Sequence, residues 1–448
     1  MTTTTHLQEV GAKHVTKGLG RVAGDAVMVR GKGSWVEFED GRRLLDFTTG
    51  IGVTNLGHCH PKVSKAAADQ CLNLVHCQCS VAYHEPYLKL IEKLLPIMPD
   101  PSLDSFFFWN SGSEAVEGAL KMARIYTGRK AIITMQGGYH GRTFGAMALT
   151  RSKTIFSEGS GPLMPSVFVA SFPFWHQLSL PPSASEEEVI QKALYQLDLL
   201  FSQQINPQEV AAIVIEPVLG EGGYVPAPPA YLRSLREICD KHGIVLILDE
   251  VQSGFGRTGK YFASEHSGVR PDILVIAKGI ANGFPLSAIV SRTDITDKLK
   301  PGIMGGTYAG NAVACAAAIA CADVMKEERV LENVQQRSHE LIGSLNQLRS
   351  RADVGPYILD VRGLGLMIGV EFASPSPISV YDPNTLAGAP KSLASRVAKR
   401  CLEKGVLILT TSIYEVVRFI PPLNISAEEM AKGIEIFTQA VEEVVKEG

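Results

Sequence analysis

No apolar run in this sequence is long enough to span a membrane. The longest, residues 312–322, falls short of the about 18 residues that a bilayer crossing needs, and it reads as a buried helix. Charge of one sign is also lacking: 43 Lys and Arg stand against 46 Asp and Glu, for a formal net charge of −3. No global field collects nucleic acid or an anionic membrane, so any ligand must be held locally. Eight cysteines without regular spacing do not make a disulfide framework and suit a reducing compartment. Residues 1–20 open with four threonines, carry no apolar stretch of the secretory kind and are poor in Arg. The expected location is therefore cytoplasmic. Beyond that Thr run there is neither low complexity nor an internal repeat.

The chain has 448 residues, 45% of them hydrophobic and 20% charged, with 42 Gly and 25 Pro spread throughout. That is the composition of a soluble globular protein of two or more packed units. The middle is the most legible part. Apolar runs at 211–215 and 244–248 flank a helical periodicity at 230–242, a β-α-β unit. Similar runs lie at 106–109, 131–135 and 273–276, with a helical stretch at 114–126. Strands apolar on both faces predict a mainly parallel sheet covered by helices.

Pro/Ser-rich stretches at 174–185 and 374–390 read as surface excursions, and Ser185 with Glu188 as a capping box that restarts a helix. From about residue 328 the pattern changes to amphipathic helices at 330–349, 393–404 and 427–446 with strand-like runs at 366–370 and 406–409. The expected division is an N-terminal segment, 1–60, with short strands around 27–38 and 43–47, packing with a small α+β domain at 328–448. A large α/β domain occupies 61–327.

Open parallel sheets hold ligands at their strand ends. Three such ends carry chemistry. Run 106–109 leads through Asn110-Ser111-Gly112-Ser113-Glu114 into a helix, whose free amides and positive dipole end suit a phosphate as well as an ordinary cap. Run 244–248 is followed by Asp249-Glu250-Val251-Gln252, and run 273–276 by Ala277-Lys278-Gly279. A lysine ending a buried strand either snorkels or is held neutral, and a neutral amine is the nucleophile that a Schiff base with an aldehyde cofactor requires. Asp249 is placed to pair with a helix cation or with a protonated ring nitrogen.

Asp249-Glu250-Val251-Gln252-Ser253-Gly254 with Gly256-Arg257-Thr258-Gly259, Ala277-Lys278-Gly279 and Gly305-Gly306-Thr307-Tyr308 together resemble the signature of the class III aminotransferases. The similarity runs from about Gly33 to Val445, through Asp46-Phe47, Gly57-His58-Cys59-His60-Pro61, Tyr139-His140-Gly141-Arg142 and Asp360-Val361-Arg362-Gly363. It implies fold type I and the cofactor pyridoxal 5'-phosphate. Lys278 would bond to the cofactor's aldehyde carbon and shuttle the proton, while Asp249 would hold the pyridinium. Gln252 would contact the phenolic oxygen, with Tyr139 stacked on one ring face and Val251 on the other. Gly112 and Ser113 would take the phosphate, reached by Thr307 of a neighbouring subunit, so the resemblance also implies a homodimer or a dimer-based oligomer. Its partners are a small-molecule amine donor and a 2-oxo acid acceptor.

Within the family the substrate-facing positions look most like those of 4-aminobutyrate aminotransferases. Glu216 would neutralise Arg418 when the amine lacks an α-carboxylate, Arg418 would clamp the α-carboxylate of glutamate, and Arg142 would bind the distal carboxylate beside Ile51. One departure is Ser80, which stands where bacterial relatives have a Gln and opens the site to a bulkier or differently charged amine; the nearest alternative is the same chemistry on ornithine, acetylornithine, β-alanine or an aromatic amine. A decarboxylase of the dialkylglycine type, and a non-catalytic regulator that keeps the fold, are the further alternatives.

Other motifs are weaker. His58-Cys59-His60 with His76-Cys77-Gln78-Cys79 is spaced too tightly for structural zinc, and no metal is expected. Gly254 to Lys260 matches seven positions of a phosphate-binding loop, but Tyr261 replaces the Ser or Thr that coordinates magnesium. Gly363-Leu364-Gly365 reads as a turn, and the basic run at 391–404 as a solvated helix face.

Overall fold

The computed structural model describes residues 5–376, 378–379 and 382–448. Its centre is a seven-stranded sheet in the order Ser105–Trp109, Ser287–Ser291, Ile273–Ile276, Val245–Asp249, Val210–Ile215, Ala131–Met135, Val167–Ala170. All strands run parallel except Ser287–Ser291, which is antiparallel to both neighbours. The five interior strands are buried at every position, because helices cover both faces. The helix Gly112–Thr127 lies on one face, and Ala312–Glu327 packs nine buried small or apolar residues into the core.

The C-terminal part holds a four-stranded antiparallel sheet, ordered Ile358–Leu364, Met367–Phe372, Val416–Phe419, Leu409–Thr411, with the helices Val330–Arg349, Leu393–Lys404 and Ala427–Glu447. Gly363-Leu364-Gly365 closes its first hairpin, and Gly365 takes the left-handed φ of 57° that the turn requires. The run expected at 406–409 divides between two sheets. Val406–Leu407 pairs in parallel with Arg43–Asp46 of the N-terminal meander, while Leu409–Thr411 joins the C-terminal sheet. Among the described residues no helix is long and apolar enough to cross a membrane.

Several expectations need correction. The stretch 174–185 is no simple surface excursion: Phe174, Trp175 and Leu180 are buried, and His176 stacks between Trp175 and Tyr414 at 3.6 and 3.7 Å. The stretch 374–390 carries the bridge between Ser374 and Thr385 and the buried Ala389; its residues 377, 380 and 381 lie outside the described residues. Ser185 accepts from the Glu188 amide, but the reciprocal half of a capping box is absent from this helix start. The basic face of Leu393–Lys404 is paired instead of simply solvated, since Arg396, Arg400 and Lys404 meet Glu443 and Glu447 of the last helix. The 254–260 segment is a series of turns ahead of Ala263–His266, and its buried Arg257 donates to the carbonyls of Leu366 and Pro421 and to Asn55 Oδ1.

Candidate active site

A cavity of about 210 Å³ opens where five loops leave the strand ends of the central sheet. Of the thirteen residues singled out above, Gly112, Ser113, Tyr139, Glu216, Asp249, Val251, Gln252 and Lys278 line it.

Its floor begins at the helix Gly112–Thr127. Ser111 caps that helix, its Oγ accepting from Glu114 N at 3.3 Å and its carbonyl from Ala115 N at 3.0 Å. The amides of Gly112 and Ser113 then have no protein acceptor among the described residues, which leaves a helix N-terminus ready for an anion. Backbones approach closely here. A Cβ on Gly141, whose φ is 124°, would lie 2.2 Å from Ser113 Oγ, and one on Gly112 would lie 3.0 Å from Val251.

Asp249 ends its strand as a buried carboxylate. Its Oδ1 accepts from Val251 N at 3.1 Å, and its Oδ2 lies 2.7 Å from His140 Nδ1. Burial acts against a charged His140, yet the Asp249 carboxylate outweighs it and holds the imidazole above its ordinary value. Gln252 contributes a side-chain carbonyl oxygen that is buried without a partner, so this wall has unmet hydrogen-bonding capacity.

Lys278 follows Ile273–Ile276 after one residue. It has a left-handed φ of 51° and opens a short 3₁₀ turn that Asn282, also left-handed, ends. Burial pushes its amine down to about 8; Glu221 opposes that shift and Arg418 adds to it. About a tenth of the side chain is thus free amine at pH 7, a few hundred times more than for an ordinary lysine, and that is the state a carbonyl-capturing lysine needs.

One implied contact is replaced. Glu216 does not meet Arg418. It is buried under Tyr139, with Oε1 accepting from Tyr139 N at 2.8 Å and Oε2 from Gly220 N at 2.9 Å, and burial raises its pKa. Glu221 pairs with Arg418 instead, at 2.5 Å, both largely shielded from water. The reason is local geometry. Glu216 sits at the strand end facing two amides, whereas Glu221 sits on the tip of the hairpin Val218–Leu219/Val225–Pro226, which reaches the strand Val416–Phe419.

Five residues lie outside the cavity lining. Arg418 stands behind Glu221 and over the Tyr224 ring at 5.9 Å. Arg142 is exposed, its Nε donating to Tyr139 Oη at 3.2 Å. Ile51, left-handed and exposed, adjoins Gly52, whose Cβ position is 3.4 Å from Gln252. Ser80 is exposed and bound by Gln78, and Thr307 is exposed on the loop before Ala312–Glu327. His140 and Glu221 are the residues that sequence reasoning left without a role. His140 stood inside the Tyr139-His140-Gly141-Arg142 motif, where a histidine in a strand-end loop was the available signal, and Glu221 lies five residues beyond Glu216.

This donor set fits pyridoxal phosphate: anion-ready amides, a buried carboxylate, an unpartnered amide side chain and a lysine of lowered basicity around one cavity. The family pattern of Aminotransferase class-III matches residues 20–441. The chain is 39% identical to 5-aminovalerate aminotransferase DavT of Pseudomonas putida over 92% of both sequences, and 38% identical to 4-aminobutyrate aminotransferase GabT of Escherichia coli over 90% of both. The ω-transaminase of Pseudomonas jessenii, solved in complex with PMP, superposes with a TM-score of 0.89 at 26% identity, covering 99% of this chain and 98% of that one. Strand-end chemistry, whole-chain similarity and fold agree: the chain belongs to the class III aminotransferases, pyridoxal-phosphate enzymes of fold type I that move an amino group from an amine donor to a 2-oxo acid.

Proposed function

We propose that this enzyme takes the amino group of an ω-amino acid, foremost 4-aminobutyrate, and passes it to 2-oxoglutarate by a ping-pong mechanism, giving succinate semialdehyde and glutamate. The observation that carries the reading is the shielded Arg418–Glu221 pair next to Lys278. A buried guanidinium left without a partner is costly. With glutamate, the α-carboxylate takes Arg418 as a bidentate partner and Glu221 withdraws; with an amine that has no α-carboxylate, Glu221 stays. One cavity thus accepts both substrates.

Bound pyridoxal phosphate supplies the carbonyl carbon that receives the amine and a ring that accepts the electron pair released at the substrate carbon. In this reading Gly112 and Ser113 hold the phosphate, and Asp249, oriented by His140, keeps the ring nitrogen protonated. Tyr139 and Val251 confine the ring, and Gln252 turns its amide to the phenolic oxygen. Lys278 Nζ would take up the proton lost by the substrate carbon and give it up again, a task suited to an amine with a pKa of about 8. Arg142, released from Tyr139, binds the distal carboxylate beside Ile51.

Thr307 and Ser80 act in this reading across a homodimer interface. Exposed Leu72, Val81, Tyr83 and Tyr308 lie on the same two segments, which supports a covering copy. The division into an N-terminal segment, a large domain and a C-terminal domain from residue 328 is part of the same proposal.

The test is a screen of the purified holoenzyme, in which the cofactor's visible band is followed with each amine alone. Rapid bleaching by 4-aminobutyrate and by glutamate is expected. Faster bleaching by 5-aminovalerate, ornithine, acetylornithine, β-alanine or an aromatic amine reassigns the donor, and carbon dioxide release marks a decarboxylase.

A further inference from the structure

The hairpin tip that carries Glu221 is held from outside the cavity by residues that the chemistry above does not use. Two carbonyls flank Glu221, those of Gly220 and Gly223. Thr411 Oγ1 donates to Gly220 O at 3.2 Å. Arg362 donates twice to Gly223 O, from Nε at 3.0 Å and Nη2 at 2.8 Å. Both side chains come from the C-terminal sheet, as does Arg418, so one rigid surface presents the guanidinium and grips the backbone that bears its partner.

Arg362 is itself fixed. Its Nη1 meets Glu371 at 2.5 Å and Asp360 at 3.2 Å, and its guanidinium lies 5.0 Å from the centre of the Phe174 ring. His176 Nε2 holds the other oxygen of Glu371 at 2.5 Å. Burial works against the Glu371 carboxylate, but Arg362 and His176 keep its pKa below the usual range. The Asp360-Val361-Arg362-Gly363 motif and the Phe174–His176 segment, neither of which the catalytic chemistry uses, thus converge on the loop of Glu221.

We propose that Arg362 is a positioning residue that sets substrate discrimination: it pins the Gly220–Gly223 tip, so that Glu221 exchanges on and off Arg418 by side-chain rotation over a fixed backbone. The inference rests on the two-substrate reading above. With an amine lacking an α-carboxylate, the site depends on Glu221 returning to Arg418, and a loose tip taxes that return with backbone entropy. With glutamate the substrate's own carboxylate fills Arg418, and the position of the tip matters little.

The test compares wild-type, R362K and T411V holoenzymes in separate half-reactions with 4-aminobutyrate and with L-glutamate. Lysine keeps a charge for Glu371 but cannot fork two N–H groups onto Gly223 O. For R362K, kcat/KM of the 4-aminobutyrate half-reaction should fall about tenfold while that of glutamate stays within about twofold. T411V should show the same asymmetry to a smaller extent, and it decides alone if R362K does not load cofactor. Equal losses in both half-reactions, or no loss in either, overturn the inference while the two-substrate reading stands. A wild-type enzyme that reacts with glutamate but with no ω-amine overturns that reading and this inference together.

Discussion

His140 Nδ1 lies 2.7 Å from Asp249 Oδ2, and both side chains are closed off from solvent. Asp249 alone could turn; paired with the imidazole it stays aimed into the cavity. Replacement by Asn removes the charge but keeps a donor. H140N should bind pyridoxal phosphate about tenfold more weakly, measured by titrating apoenzyme. The pH dependence follows from the raised imidazole pKa. The charge pair contributes its full stability below the unfolded histidine value, about 6.5, and loses it as pH rises through the higher folded value. The difference in melting temperature between wild-type and H140N apoenzyme should therefore shrink towards alkaline pH.

Lys278 titrates near 8, where an ordinary lysine would titrate near 10.5, because it is desolvated. Capture of the cofactor by apoenzyme should speed up with pH about a midpoint near 8 and level off above it, which stopped-flow absorbance would show. A midpoint near 10 would contradict the burial argument. K278A should lose turnover and the lysine-bound visible band together, and borohydride reduction of the wild type should label the single peptide containing Lys278.

The two glutamates of the 216–223 segment are separable. E221Q leaves Arg418 without a counter-charge and should slow the 4-aminobutyrate half-reaction about a hundredfold, with glutamate much less affected. E216Q keeps a shape that can still accept from Tyr139 N or Gly220 N, and it should slow both half-reactions alike. The reverse pattern would restore the pairing that the sequence resemblance suggested.

Gly365 is a packing constraint remote from the chemistry. A Cβ there would lie 2.4 Å from the Thr258 carbonyl carbon, on a backbone already at φ 57°. G365A should lower stability by about 3 kcal/mol, read as a shift of the urea midpoint with the slope unchanged.

How much of this was legible in the sequence depended on whether the information was local. Residues 131–135, 273–276, 330–349 and 393–404 folded with the predicted bounds because apolar periodicity records burial directly. Ser287–Ser291 went unseen: a five-residue run with serine at both ends looks like loop, and only its two neighbours make it a strand. Eight of the cavity-lining residues were legible because the strand ends of an open sheet converge whatever the loops do. The partner of Arg418 was not, since nothing in Glu216-Pro217-Val218-Leu219-Gly220-Glu221 says that a hairpin of two-residue strands carries the second carboxylate across. Phe174 and His176 were hidden for a related reason, because proline and serine around them signal a loop without saying what it packs against.

The parallel pairing of Arg43–Asp46 with Val406–Leu407 bears on how the protein is made. About 360 residues separate the two strands, which at about 5–20 residues per second is some 20 to 70 seconds of translation. Through that interval Leu44, Leu45 and Phe47, all buried in the finished fold, wait for a neighbour that has not left the ribosome. Their surroundings close only when Gly433 of the final helix comes to rest against the Phe47 ring. The earliest strands of the polypeptide are therefore among the last to be secured, and newborn chains depend on whatever shields that sticky edge.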